Sequence, residues 1–245
     1  MQTKKLHNWN LSYLQAKDLQ KHLARRVRFT PLKKTPQLVA GLDCALSKND
    51  QKIIAAAVVL RTPNAIKALW EPSELPDFEL IETTTASQKL TFPYIPGLLS
   101  FREAPVCIAA VEKLKKTPDV FIIDGQGIAH PRRLGLAAHL GLLFDKPTIG
   151  CAKSRLIGEF EPPPSKKGSY SLLTIPSHEP RVTSHEVIGA VLRTRTNVKP
   201  LFVSVGNKCT LKDAIKITLA CTTRYRLPEP TRLAHQMVNK LRLKA

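Results

Sequence analysis

Acidic residues are scarce in this chain, 19 Asp and Glu against 38 Lys and Arg, so the places where a carboxylate breaks an apolar segment carry information. Asp43 interrupts Leu38-Val39-Ala40-Gly41-Leu42-Asp43-Cys44, and Asp124 comes directly after Phe121-Ile122-Ile123. Glu103 stands four residues before Cys107 and eight before Val111, on the apolar stripe of an expected helix. An ionised carboxylate among apolar groups is costly unless it is paired or bound to a cation. Three of them from separate elements, with no thiolate pattern in support, suit a hard divalent cation, Mg²⁺ or Mn²⁺, rather than zinc. Beside a polyanion, such an ion points to phosphodiester hydrolysis. Each acid taken singly also fits a helix cap or a salt bridge to one of the many basic side chains. Both readings stand at this level.

Lys153 follows the apolar run Thr148 to Ala152, at the carboxyl end of a second expected strand. Open α/β sheets place ligands at that edge, and an ammonium there would offset charge developing on a leaving oxygen. Gly125-Gln126-Gly127 lets the backbone approach a ligand closely. His130-Pro131-Arg132-Arg133 adds an imidazole and two guanidiniums, while His139, set in Ala137-Ala138-His139-Leu140, reads as a core histidine. In Phe92-Pro93-Tyr94-Ile95-Pro96-Gly97, two prolines hold an aromatic and a branched side chain on a rigid projection. That design suits insertion between stacked bases, and equally a hydrophobic staple on the next helix.

The elements that must position these groups follow from periodicity. Leu19, Leu23 and Val27 stand four apart and predict a packed N-terminal helix rather than a basic leader. Residues 37–46 and 52–60 are apolar runs joined by a polar stretch, which predicts a hairpin, and 65–70 and 78–85 could add strands. A helix is expected over 97–116, a short buried strand over 120–123, a helix over 134–144 and a strand over 148–152, a parallel crossover. Strands at 169–175, 187–194 and 201–205 and helices at 211–221 and 231–243 complete the pattern. The fold class is α/β, a mixed sheet with antiparallel strands first, parallel strands later, and helices packed on it.

A chain of 245 residues with 43% hydrophobic content fills one core, so one monomeric domain over 1–245 is expected. The net charge of +19 is spread along the chain and predicts a polyanionic partner, DNA or RNA, without choosing between them. A merely solvated or ribosome-associated basic surface is equally compatible. The five cysteines show no paired spacing and read as core residues in a reducing cytoplasm. The longest apolar run, 53–60, is too short for a bilayer, so no membrane partner is expected.

At these residues the chain resembles the endonuclease V family. The likeness covers Val39 to Asp43, Pro93 to Glu103, Asp124-Gly125-Gln126-Gly127 with His130-Pro131-Arg132, Pro147 to Ser154, and Tyr225 to Arg232. It implies a ribonuclease-H-like fold in which Asp43, Glu103 and Asp124 bind the metal, Mg²⁺ with Mn²⁺ as substitute, and Lys153 assists catalysis. It also implies that Tyr94, Ile95 and Pro96 wedge into the gap left by an extruded deaminated base. Gly97, Gly125, Gly127 and Gly150, with His130 nearby, would line its pocket, the glycine backbones bonding the flipped purine. The implied activity is nicking of deoxyinosine-containing DNA at the second phosphodiester bond 3′ to the lesion, with inosine-containing RNA as an alternative substrate. One departure is Asn207 after Val203-Ser204-Val205-Gly206, where the family usually has a histidine thought to act near the metal. Asn cannot shuttle a proton, so a lesion-binding protein with weakened catalysis is the other reading.

Overall fold

Leu38–Leu46 (β1) and Lys52–Arg61 (β2) form the expected antiparallel hairpin, in register from Leu38 opposite Arg61 to Leu46 opposite Ile53. The computed structural model describes residues 1–48, 51–62, 78–176 and 185–243, and the strand expected at 65–70 falls outside them. Glu79–Lys89 (β3) continues the sheet antiparallel to β2. Val120–Ile123 (β4) lies parallel to β1 and Thr148–Ala152 (β5) parallel to β4, with Leu136–Phe144 (α3) as the crossover helix. Tyr170–Pro176 (β6), His185–Leu192 (β7) and Leu201–Asn207 (β8) complete one sheet in the order β3-β2-β1-β4-β5-β8-β7-β6. The sheet is mixed, as expected: an antiparallel hairpin opens it and β1, β4 and β5 make a parallel centre. The last three strands return antiparallel.

Alternation along the central strands divides the core between two faces. Ala40, Leu42, Phe121 and Ile123 pack with Ala104 and Cys107 of Leu99–Glu112 (α2) and Leu140 of α3. On the opposite face Ile122, Cys151 and Val203 pack with Ala214 and Ile217 of Leu211–Ala220 (α4). Ala234 of Glu229–Arg242 (α5) meets Val58 and Leu60 on that same molecule's sheet. Residues 53–60 are all buried, which is why β2 is continuously apolar rather than alternating. Tyr13–Ala24 (α1) is the packed N-terminal helix, started by a capping box between Ser12 and Gln15, with Leu23 against Leu134 and Ala138. All five cysteines are unpaired, and no described helix is long and apolar enough to cross a membrane.

Candidate active site

Residues two apart on a strand point to the same face. Ile122 and Cys151 lie in the cluster on the α4 side, so Asp124 and Lys153, two residues further on, continue toward that side. Gly41 and Asp43 on β1 share it as well. Because Leu42, Ile123 and Gly150 are in parallel register, the three functional side chains leave the sheet together at its carboxyl edge. The Asp124 amide donates to the Leu42 carbonyl (3.0 Å), which carries the β1–β4 pairing up to the site.

Helix α5 closes on this edge through a bare stretch of backbone. A Cβ on Gly41 would stand 2.0 Å from the Pro230 carbonyl carbon, so only glycine admits the start of α5 there. One turn past Thr231, His235 Nδ1 reaches Asp43 Oδ2 at 2.7 Å. Lys153 Nζ donates to Asp124 Oδ2 at 2.5 Å. The Lys153 backbone is steadied by Arg226, whose Nη2 donates to the carbonyls of Lys153 (2.8 Å) and Pro200 (2.7 Å). The Asp43 and Asp124 side chains keep 9% and 15% of their exposure, Lys153 and His235 39% and 40%. The acids therefore form the floor of the site and the two basic groups its rim.

One ligand atom from each of Asp43, Asp124 and His235 lies within 4.8 Å of the others, a spacing one cation could share. Burial raises the Asp43 pKa and the Asp124 charge raises it further, against the opposing hydrogen bond from His235. Glu103 stands outside this tight group, on α2. Burial and the Asp43 charge nonetheless push Glu103 up to about 8. Acids whose proton affinity is raised by burial and like charge are those a divalent cation relieves. Oxygen donors suit a hard ion, and the His235 imidazole is held against one of them. The donor set thus fits the expected metal.

The glycine loop is built for backbone stacking. A Cβ on Gly127 would meet the Val205 carbonyl oxygen at 2.0 Å, and one on Gly150 the Gly127 nitrogen at 2.3 Å. The Gly127 amide donates to Ser204 Oγ (2.8 Å) and its carbonyl accepts from Gly135 (2.9 Å). The Gly127 amide is thus committed inside the protein.

His130 is buried with both ring nitrogens engaged. The Arg132 amide donates to Nδ1 (3.1 Å), so Nε2 carries the proton and donates to the Gly97 carbonyl (3.0 Å). Burial, then the Arg132 charge, brings its pKa down to about 4, so the ring is neutral and serves as a brace. Tyr94 is 69% exposed at the tip of its projection, with Pro96 exposed and Ile95 half-buried. Phe92 and Leu98 are buried with Phe101. The staple and the projecting tip are thus different residues of one loop.

Asn207 pairs with Thr148, at the opposite end of β5 from Lys153, about 16 Å away at the rise of a strand. Its Oδ1 accepts from the Arg28 amide and its Nδ2 donates to the Gly141 carbonyl, both at 3.0 Å. Both ends of the Asn207 side chain are therefore bonded within the fold, away from Lys153. The imidazole at the acidic centre is instead His235, which the sequence reading missed. Its only sequence signal is its place four residues after Thr231, one turn along from the Pro-Glu-Pro-Thr entry to α5.

Comparison with known proteins agrees with this geometry. The family model for Endonuclease V matches residues 21–236. The Endonuclease V of Methanothrix thermoacetophila is 46% identical, covering 96% of this chain and 94% of that one. The Bacillus subtilis Endonuclease V structure superposes with a TM-score of 0.85 at 31% identity, over 100% of this chain and 98% of that one. The Ciona intestinalis enzyme, solved with a 23mer DNA containing an inosine followed by a ribo-adenosine, gives 0.72 at 28% identity, over 96% and 99%. The chain belongs to the Endonuclease V family and is an enzyme of the nuclease class.

Proposed function

We propose that this enzyme recognises deoxyinosine in DNA and hydrolyses the second phosphodiester bond 3′ to it, leaving a nick, with Mg²⁺ as cofactor and Mn²⁺ able to replace it. The observation that carries the reading is the meeting of Asp43, Asp124 and His235 within 4.8 Å at the sheet edge, with Lys153 at the rim. Asp43 and Asp124 would hold the ion, with Glu103 supporting from across the edge. A bound divalent ion activates water and neutralises phosphate charge. Lys153 Nζ, half exposed beside Asp124, offsets charge on the leaving oxygen. Tyr94, Ile95 and Pro96 fill the gap in the stack, and the net charge of +19 holds the backbone. The enzyme works as a cytoplasmic monomer.

A second reading, cleavage of inosine-containing RNA, is favoured by the ribo-adenosine after inosine in the Ciona complex. End-labelled DNA and RNA strands, with and without inosine, incubated with Mg²⁺ or Mn²⁺ decide both. The expected product is a discrete fragment ending one nucleotide past inosine, absent in Asp124→Ala. Intact DNA under every ion would remove the proposal. Cleavage confined to the RNA arm would replace it with the second reading.

A further inference from the structure

Gln20 is fully buried on α1, aligned with Ala16 and Leu23 where the helix otherwise turns apolar side chains inward. A buried amide is tolerated when its groups are bonded, and this one has a partner at each end. Arg132 Nε donates to Oε1 (2.5 Å), while Nε2 donates to the carbonyls of Gly97 (3.0 Å) and Leu134 (3.1 Å). A guanidinium only donates and carbonyls only accept, so the amide has one orientation. The Gly97 carbonyl collects three donors: Gln20 Nε2, His130 Nε2 and Arg132 Nη2, the last at 2.6 Å. Gly97, at φ +77°, is where the chain turns back after Tyr94-Ile95-Pro96. The other end of that projection is fixed by Phe92, its ring 5.8 Å from that of Phe101.

We propose that Gln20 is a positioning residue for lesion discrimination. By tying α1 to the Gly97 carbonyl and to Arg132, it sets the height and stiffness at which Tyr94 and Ile95 meet the base stack. This rests on the wedge role given to those residues in the proposed function. Damaged and normal sites differ in the cost of unstacking and unpairing, and a wedge that yields blurs that difference. A wedge held beforehand also loses little conformational freedom on insertion. His130 and Arg132 come from the loop after β4, whereas Gln20 arrives from 77 residues before Gly97. Its amide therefore joins three separate segments at the base of the projection.

The test uses the full-length enzyme with Gln20→Met, which keeps the packing and removes all three bonds, and Gln20→Glu, which keeps only the acceptor for Arg132. Nicking of inosine and undamaged duplexes gives kcat and KM. Separately, 2-aminopurine fluorescence beside inosine, read in Ca²⁺, reports unstacking without turnover. Expected for both variants is an approximately tenfold loss of selectivity, borne mainly by KM on inosine DNA, with a weaker unstacking signal. Combining Gln20→Met with Tyr94→Ala adds no further loss. Selectivity within about twofold of the parent in both variants, while Tyr94→Ala lowers it, overturns this inference and leaves the wedge standing. Unchanged selectivity in Tyr94→Ala itself removes the wedge and the inference with it. Equal losses on both duplexes with an unchanged fluorescence signal make Gln20 a fold support only. Should the Met variant not fold, Gln20→Glu alone decides between these outcomes.

Discussion

At the carboxyl edge of β1 and β4, burial and like charge raise the proton affinity of Asp43 and Glu103. Around the Gly97 carbonyl, a short distance along the fold, an equally polar cluster has three donors on one acceptor and a neutral imidazole among its braces. The first region is held in a state that a further positive charge would improve. The second is complete as it stands. An acidic floor is tuned by leaving charge for a ligand to balance, and a mechanical anchor by leaving nothing to balance.

The sharpest way to break this contrast is to remove charge from the floor. Asp124→Asn should lower nicking of inosine DNA by several orders of magnitude while lesion binding persists, since the ion loses a ligand and Lys153 its ionic partner. The same variant should be more stable than the parent at pH 8 without divalent cation, because Asp43 and Glu103 are relieved of a neighbouring charge. Single-turnover assays and urea melts check the two halves. A variant both inactive and less stable would mean that Asp124 is a structural partner of Lys153.

The anchor responds to pH in the opposite direction. His130 titrates near 4 in the fold against 6.5 when unfolded. Between these values the unfolded chain binds a proton that the native one refuses, so the contribution is complete above pH 6.5 and is lost as pH falls toward 4. The whole loss is about 3 kcal/mol. His139, brought down to about 3 by burial and the neighbouring His7, adds to it in the same sense. His130→Gln should make the fall in stability between pH 7 and 4.5 shallower than in the parent. An unchanged slope would mean that His130 binds its proton equally well in the native and unfolded chains.

The floor behaves in reverse. A carboxyl with a raised native pKa holds a proton that the unfolded chain has released, so its share of stability is full below the ordinary value of 4.5 and is lost as pH rises through about 8. In chelator, Glu103 should cost the parent on the order of 5 kcal/mol relative to Glu103→Gln across that window, and added Mg²⁺ should restore it by binding the native state. A difference between parent and Glu103→Gln that stays flat from pH 5 to 8 in chelator would show that Glu103 is ionised and paired without a metal.

The two regions also differ in how far the sequence disclosed them. Asp43, Asp124 and Lys153 were legible because each ends or breaks an apolar run, and strand alternation sends all three to one face. The strands and helices followed from periodicity with ends shifted by a few residues. His235 was not legible, because on α5 it sits among Arg232, Gln236 and Asn239 and resembles a solvated face. It becomes functional only because Gly41 lets α5 rest on the strand. Gln20 was hidden for the opposite reason, a polar residue beneath an apolar stripe.

The smallest effect expected lies between the two regions. Asn239, one turn after His235, places its Nδ2 3.0 Å from His235 Nε2. An amide nitrogen donates, so Nε2 accepts and the imidazole proton sits on Nδ1, facing Asp43 at 2.7 Å. His235 thus orients the carboxylate that would bind the ion, and Asn239 fixes the tautomer that allows it, the usual work of an outer partner at a metal site. Asn239→Leu should weaken apparent Mg²⁺ affinity by roughly tenfold, with saturating Mg²⁺ recovering most of the rate. Asn239→Asp can only accept at that position when ionised, so it would draw the proton to Nε2 and weaken the bond to Asp43. It should therefore need more Mg²⁺ than Asn239→Leu. The reverse order between the two variants would show that His235 reaches the floor through its other tautomer.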